Sequence, residues 1–168
     1  MPDRPPSTSN ELIRVAVDPG ANGGVVWNEG GKLHAVKMPP TDFDVVDLLV
    51  KVACKSALVE IYVEEPPLFT GAKIPGSAVG KMMFNFGIVY GAAIALGWKV
   101  HRVRPQAWQK AHPVGNKGEL TTTAWKNKLK ARAAELYPDH SLYPGHSVTL
   151  ATADALLIYN AAARGAIN

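Results

Sequence analysis

The sequence predicts an α/β fold built on a mixed five-stranded sheet, and two observations support this prediction. Strand-like and helix-like segments follow one another in the order β-β-β-α-β-α-β-α-α, which is typical of α/β proteins. The first three strands are separated only by short glycine-rich turns, at residues 19–22 and 30–31, so we expect these strands to pair antiparallel as hairpins. Helices should flank the sheet.

Each element follows from its local pattern. The predicted strands are short runs rich in β-branched and aromatic residues that end at glycine or proline: residues 12–18, 23–28, 32–38, 57–64 and 98–103. The predicted helices have apolar residues three and four positions apart, or begin at a proline or a threonine cap: residues 42–56, 78–97, 105–110, 121–137 and 148–164. The helical spacing in 42–56 runs through Phe43, Val46, Leu49, Val50 and Ala53.

Length and composition favour one domain with its own core. The chain has 168 residues, of which 47% are hydrophobic. We expect the domain to span residues 11–168, because residues 1–10 (MPDRPPSTSN) are polar and proline-rich, as in a disordered tail. Cys54 is the single cysteine, which excludes an internal disulfide and fits a reducing compartment. No apolar run reaches the roughly 18 residues of a membrane span, so we expect a cytoplasmic protein. The net charge of +4 permits a polyanionic partner.

Strand alternation places two carboxylates on equivalent faces. Asp18 shares a face of the first strand with Ala16, and Glu64 shares a face of the fourth strand with Tyr62, while the opposite faces are β-branched. Both acids end their strands just before a turn, so they converge if the two strands are neighbours. Glu65 has the opposite parity and points elsewhere, unless the two prolines that follow it twist the chain.

A third acid lies on an apolar stripe of the last helix. The stripe contains Asp154 together with Leu150, Ala151, Leu157, Ile158 and Ala161. A charge on a packing face costs several kcal/mol unless it is compensated, and a bound divalent cation would also allow three carboxylates to lie together. Each acid has an ordinary explanation as well. Asp18 can shape its D-P-G turn, Glu64 can be a solvated strand end, and Asp154 can pair with Arg104.

Six motifs occur in a fixed order along the chain: VAVDPGANGGVV at 15–26, IYVEEPP at 61–67, FNFGIVYGAAIALG at 84–97, VRPQAWQK at 103–110, ARAAELYP at 131–138 and TADALLI at 152–158. With this set the sequence resembles the RuvC-type Holliday-junction resolvases of the ribonuclease H-like superfamily, in particular their small phage and prophage members. The resemblance covers roughly residues 12–163. It implies a ribonuclease H-like fold in which Asp18, Glu64 and Asp154 are catalytic and bind metal.

The resemblance also implies an activity, which is the metal-dependent resolution of four-way DNA junctions by paired nicks. Two Mg²⁺ ions, or Mn²⁺ as a substitute, would activate a water and stabilise the leaving oxygen. Asp18 would bridge the ions, with Glu64 on one and Asp154 on the other. The family usually has a second acid or a histidine three or four residues before the last aspartate, where this chain has Ala151 and Leu150. We therefore consider Glu65 and His146 as further ligands.

Basic and aromatic residues supply candidate contacts to DNA. Helix 121–137 places Trp125, Leu129, Ala133 and Leu136 on one face and lysines elsewhere, which indicates either a phosphate-binding ridge or an ordinary solvated surface. The loop after Glu64 adds an aromatic side chain that either stacks on an unpaired base or closes the core. The candidate contacts are Phe69, Lys73, Lys81, Arg104, Lys110, Lys117, Lys126, Lys128 and Lys130.

The glycines of helix 78–97 indicate close backbone approach. Gly87 and Gly91 are one turn apart, so they either pack on the sheet or form a contact between two copies of the helix. The resemblance implies a homodimer that presents two active sites to two strands of a junction. Two other functions are weighed against the nuclease. One is a catalytically weakened or inactive relative that binds branched nucleic acid, and the other is a nucleotide-binding protein of the actin/sugar-kinase type.

Overall fold

The structure is a computed structural model that describes residues 10–67 and 76–168. Its strands are β1 (Ile13–Asp18), β2 (Gly24–Glu29), β3 (Lys32–Lys37), β4 (Val59–Glu64) and β5 (Lys99–Val103). They form one sheet in the order β3-β2-β1-β4-β5. Strands β1, β2 and β3 pair antiparallel, while β4 pairs parallel with both β1 and β5. The predicted mixed sheet is confirmed, with β1 at its centre. Residues 1–9 of the expected tail, and also Phe69 and Lys73, lie outside the described residues.

Helices cover both faces of the sheet. They are α1 (Asp42–Ala53), α2 (Gly76–Ala95), α3 (Pro105–Lys110), α4 (Thr122–Leu136) and α5 (Ala153–Ala163). The β-branched strand faces pack on α1 and α2 in one core. The other faces, which carry Ala16 of β1 and Tyr62 of β4, pack on α3, α4 and α5 in a second core. The strand faces predicted from alternation are therefore the faces that the two helical layers cover.

Helix α1 begins where a threonine side chain caps it. Thr41 accepts a hydrogen bond from the backbone N–H of Asp44 at 3.2 Å. The buried residues of α1 are Val45, Leu49, Val52 and Ala53, whereas Phe43 is 88% exposed. Of the predicted apolar spacing, Leu49 and Ala53 are buried, whereas Phe43, Val46 and Val50 are exposed. Helix α1 carries apolar residues on more than one stripe, so spacing alone does not identify the buried one.

Helix α2 is long and apolar, yet most of its surface is exposed. Only Val89 and Ala93 are buried among its 20 residues. By length and composition alone α2 could cross a membrane, with a mean hydropathy of 1.3 in its most apolar window, of which 11% is buried. The prediction that no uninterrupted apolar run reaches this length is not contradicted, because Lys81 and Asn85 lie within α2. The hydropathy value is an average over 18 residues, so it stays high although these two polar residues lie within the window.

Helix α5 is the central helix of the second layer, and it packs on β1 and β2. It begins at Ala153, five residues later than predicted. The preceding turn is held by side chains, because the Thr149 hydroxyl accepts from the backbone N–H groups of Ala151 and Thr152. Nine of the 11 residues of α5 are buried. The predicted single stripe is therefore wrong, since α5 is enclosed on nearly all sides and Leu150 lies before it, exposed.

Candidate metal centre

Two carboxylates lie side by side at one edge of the sheet. Strands β1 and β4 are parallel neighbours, with Val17 opposite Val63, so the next residues, Asp18 and Glu64, end adjacent strands on the same face. The turn after β1 orients the first acid, because the backbone N–H of Gly20 donates to the Asp18 carboxylate at 3.0 Å. The convergence predicted from strand parity is thus observed.

The third carboxylate comes from the first turn of α5. Asp154 is only 4% exposed, and helix α5 packs across β1. Asp18, Glu64 and Asp154 each offer a carboxylate oxygen within 4.8 Å of the other two. One oxygen of Asp154, Oδ1, is buried without any hydrogen-bond partner. A buried acceptor of this kind is costly unless a donor or cation reaches it.

Two glycines of the D-P-G-A-N-G-G turn, Gly23 and Gly24, are required because other parts of the chain come too close to leave room for a side chain. A Cβ on Gly23 would lie 2.1 Å from the backbone oxygen and 2.7 Å from the carboxyl carbon of Asp18. A Cβ on Gly24 would lie 2.7 Å from the backbone oxygen of Ala151, just before α5. The first glycine therefore lets the turn fold against Asp18. The second lets β2 contact the segment that carries Asp154.

Burial and like charge raise the pKa of the clustered acids. Burial, followed by the charges of Asp18 and Asp154, raises the pKa of Glu64 to about 8. Burial also raises the pKa of Asp154, although a nearby lysine opposes this shift. The buried indole N–H of Trp108 lowers the pKa of Glu64, although its contact falls outside ordinary hydrogen-bond geometry. Without a cation, the cluster thus favours protonation of Glu64 near neutral pH.

A lysine that the sequence suggested as a surface contact lies inside this site. The Nζ of Lys126, on α4, donates to Oδ2 of Asp154. Burial by itself lowers the pKa of Lys126, but the charge of Asp154, and then those of Asp18 and Glu64, raise it above its usual value. The expected alternative partner of Asp154, Arg104, is exposed at the start of α3. Asp154 is therefore paired, but with Lys126.

The acids line a cavity of about 230 Å³ that opens between α2, α4 and the sheet. Its donors are carboxylate oxygens, which suit Mg²⁺ and Mn²⁺ better than softer metals. The unpartnered Asp154 Oδ1 and the mutual repulsion of the acids are the features that a cation would relieve. The residues present therefore fit a divalent metal, with Asp18, Glu64 and Asp154 as its ligands.

The two further candidate ligands are not brought into this cluster. Glu65 lines the cavity but forms an ion pair with Arg102 at 3.5 Å. His146 lies at β3, two strands away from β1, where its Nδ1 accepts from the backbone N–H of Ala35 at 3.1 Å. It is held there by ring contacts with His34 and Tyr143. Among the described residues, only the three carboxylates form a group able to hold a metal.

Two of the predicted basic contacts line a second cavity beside the acidic one, and others are exposed side chains. A second cavity of about 320 Å³, lined by Lys110 and Lys117, shares Gln109 and Trp125 with the first. Lysines on α4 and the arginine at the start of α3 are exposed as well: Lys128, Lys130 and Arg104. Lys81, on α2, lines a different cavity of about 530 Å³. The basic loop before α4 is therefore adjacent to the acidic centre.

Of the comparisons with known proteins, the one with solved structures identifies the fold. No family model matches the chain, and neither does any curated protein. Among solved structures, Thermus thermophilus RuvC in complex with a Holliday junction substrate matches with 18% identity and a TM-score of 0.52. A second T. thermophilus RuvC structure matches with 21% identity and a TM-score of 0.50. Each match covers 94% of this chain and 99% of the RuvC chain.

The chain has the RuvC fold. The predicted ribonuclease H-like architecture is therefore confirmed, and so is the resemblance to RuvC-type proteins at the level of the fold. At this sequence identity the match identifies the architecture, and the chemistry has to be argued from the side chains of this chain.

Proposed function

We propose that this protein is a divalent-metal-dependent endonuclease that cuts branched DNA, with the four-way junction as its substrate. The observation that carries the proposal is the convergence of Asp18, Glu64 and Asp154 within 4.8 Å, on β1, β4 and α5 of a RuvC fold. Their burial and mutual repulsion disfavour such a cluster unless it holds a cation.

Each carboxylate would have a distinct task. Two Mg²⁺ ions, when bound, would supply an activated water and stabilise the leaving oxygen of a phosphodiester. Asp18 ends the central strand and is fixed by Gly20, so it is suited to bridge the two ion positions. Glu64 would hold one position, and Asp154, through its unpartnered Oδ1, would hold the other.

The charge around the centre supports a polyanionic substrate. The cavity that contains Lys110 and Lys117 adjoins the acidic centre, and Lys128 and Lys130 are exposed on α4 beside it. Backbone contacts from these lysines would release counterions and hold a DNA strand across the carboxylates. The named RuvC complex contains a Holliday junction substrate, which makes the four-way junction the first substrate to test.

The protein would act as a homodimer formed by α2. Phe84 is 61% exposed and Ile94 is 51% exposed, which is unusual for large apolar side chains on one helix. Gly87 and Gly91 are exposed, and added Cβ atoms there would meet nothing within 4 Å. Of the two alternatives for these glycines, packing on the sheet is not observed, and contact with a second copy would explain them. Sedimentation equilibrium should give a dimer for the wild type and a monomer for Phe84→Glu.

The decisive experiment compares a fixed four-way junction with linear duplex of the same sequence, in Mg²⁺ or in EDTA. The wild type should nick the junction in Mg²⁺ only, and Asp18→Asn should bind the junction without cutting it. Asp47→Asn is the matched control, because Asp47 is exposed on α1 and should leave cleavage unchanged. Retained cleavage by Asp18→Asn would refute the assignment.

The same assay distinguishes the two other functions. Junction binding without cleavage by any preparation would favour the non-catalytic relative, for which the absence of a fourth carboxylate from the described cluster is the supporting observation. Binding of ATP measured by calorimetry, together with no affinity for junctions, would favour the nucleotide-binding alternative.

A further inference from the structure

We propose that the Lys126 ammonium group is a built-in cation that takes the place of one metal ion, so that the DNA-free protein binds a single divalent ion tightly. This inference rests on the proposed metal-dependent function. It concerns how many ions the centre holds before substrate arrives, and which residue sets that number.

The position of Lys126 is fixed by its helix. Lys126 follows the buried Trp125 and lies three residues before the buried Leu129, so its stem starts at the edge of the face that packs on the core. The side chain lines the cavity that contains the three acids and also a neighbouring cavity that Asp18 shares. Its ammonium group therefore lies among the carboxylates instead of extending into solvent.

The contact engages the acid that would hold the second ion. Lys126 Nζ donates to Oδ2 of Asp154, which leaves Oδ1 as the free oxygen of that carboxylate. Within the described part of the chain, Lys126 forms no hydrogen bond or ion pair with Asp18 or Glu64. One side of the centre is thus neutralised by the protein, while the Asp18 and Glu64 side lacks a resident cation.

The charge balance gives the number of ions. Once a metal ion displaces the proton of Glu64, the three carboxylates carry a charge of −3, and Lys126 reduces this to −2. One divalent ion neutralises the remainder, whereas a second ion would give an excess of +2 in a partly buried site. A fourth carboxylate, Glu65, lines the cavity but does not offset this excess, because its charge is paired with Arg102. The phosphates of a bound DNA strand would supply the missing negative charge.

Calorimetric and electron paramagnetic resonance titrations with Mn²⁺, in the absence of DNA, test this inference. The wild type should bind one ion tightly and a second ion at least about tenfold more weakly. Lys126→Met, which keeps the apolar stem, should tighten the second ion by at least about tenfold. Lys126→Arg should behave as the wild type, and so should Lys51→Met, a control at an exposed lysine of α1 on the other side of the sheet.

The outcomes separate this inference from the proposed function. Two equally tight ions on the wild type, or a second ion unchanged by Lys126→Met, would overturn the inference, and junction cleavage would then leave the proposed function standing. No Mn²⁺ binding by the wild type or by Lys126→Met would overturn both. If Lys126→Met does not fold, Lys126→Gln replaces it, and the wild-type stoichiometry alone still decides.

Discussion

The raised pKa of Glu64 predicts that the metal-free protein loses stability as the pH rises. The folded protein holds the proton of Glu64 up to about pH 8, against a usual value of 4.5. Between these values the folded state binds more protons than the unfolded state, so the free energy of unfolding falls with increasing pH. At 1.36 kcal/mol per unit, the total loss is roughly 5 kcal/mol. It is complete only above pH 8.

The useful window is pH 7 to 9, where about 1 kcal/mol of this loss occurs. For a chain of this size that corresponds to a fall in Tm of about 2 to 4 °C. Four histidines whose pKa is lowered by burial act in the opposite direction, because the unfolded state binds their protons more readily, but most of their effect lies below pH 7: His34, His101, His112 and His146. Thermal denaturation in EDTA should therefore show a falling Tm for the wild type.

Matched variants test whether the slope of Tm against pH comes from the Glu64 carboxylate. Glu64→Gln is neutral at every pH, so it should abolish the slope and be more stable than the wild type at pH 9. Glu119→Gln, in an exposed loop, should keep the wild-type slope. Saturating Mg²⁺ should flatten the wild-type curve, because a cation replaces the proton. A wild-type Tm that is constant or rises from pH 7 to 9 in EDTA would refute the reasoning.

Three further predictions concern the surroundings of the carboxylates. Gly23→Ala places a Cβ 2.1 Å from the backbone oxygen of Asp18, so chemical denaturation should show a free energy of unfolding lower by about 3 kcal/mol. A variant with wild-type stability and normal cleavage would contradict this close approach. Trp108→Phe removes the N–H that lowers the pKa of Glu64. Because Mn²⁺ must then compete with a more firmly held proton, Mn²⁺ affinity at pH 7 should fall roughly tenfold. An unchanged affinity would argue that Trp108 does not tune Glu64. Replacing both Lys128 and Lys130 by Gln should reduce the salt dependence of junction binding by about two counterions. Lys51→Gln, on the opposite side of the sheet, should leave the salt dependence unchanged. An equal salt dependence for all variants would exclude phosphate binding by the lysines of α4.

Sequence alone predicted the sheet and two of the carboxylates because strand periodicity is a local property. Alternation assigns Asp18 and Glu64 to one face whatever the rest of the chain does, and the parallel pairing of β1 with β4 then brings them together. Asp154 was singled out because it is an acid among apolar residues. Its burial is observed, although the stripe used to explain it is not, since α5 is enclosed on nearly all sides.

Other features of the site depend on tertiary contacts that a sequence pattern does not contain. The role of Lys126 was missed because a lysine on a polar helix is usually solvated, and a long stem can reach a buried carboxylate from the edge of a packed face. The sequence feature that could have indicated this contact is the position of Lys126 next to the buried residues Trp125 and Leu129. Trp108 gave no signal of its own, because its relation to Glu64 arises only when α3 packs under the sheet edge.

The central claim is that Asp18, Glu64 and Asp154 together bind a divalent cation, and a crystal soaked in Mn²⁺ tests it most directly. We expect an anomalous-difference peak in contact with these carboxylates, and we expect this peak to be lost in crystals of Asp18→Asn. A soaked crystal with no peak at the three acids, or with Mn²⁺ bound only elsewhere, would contradict it.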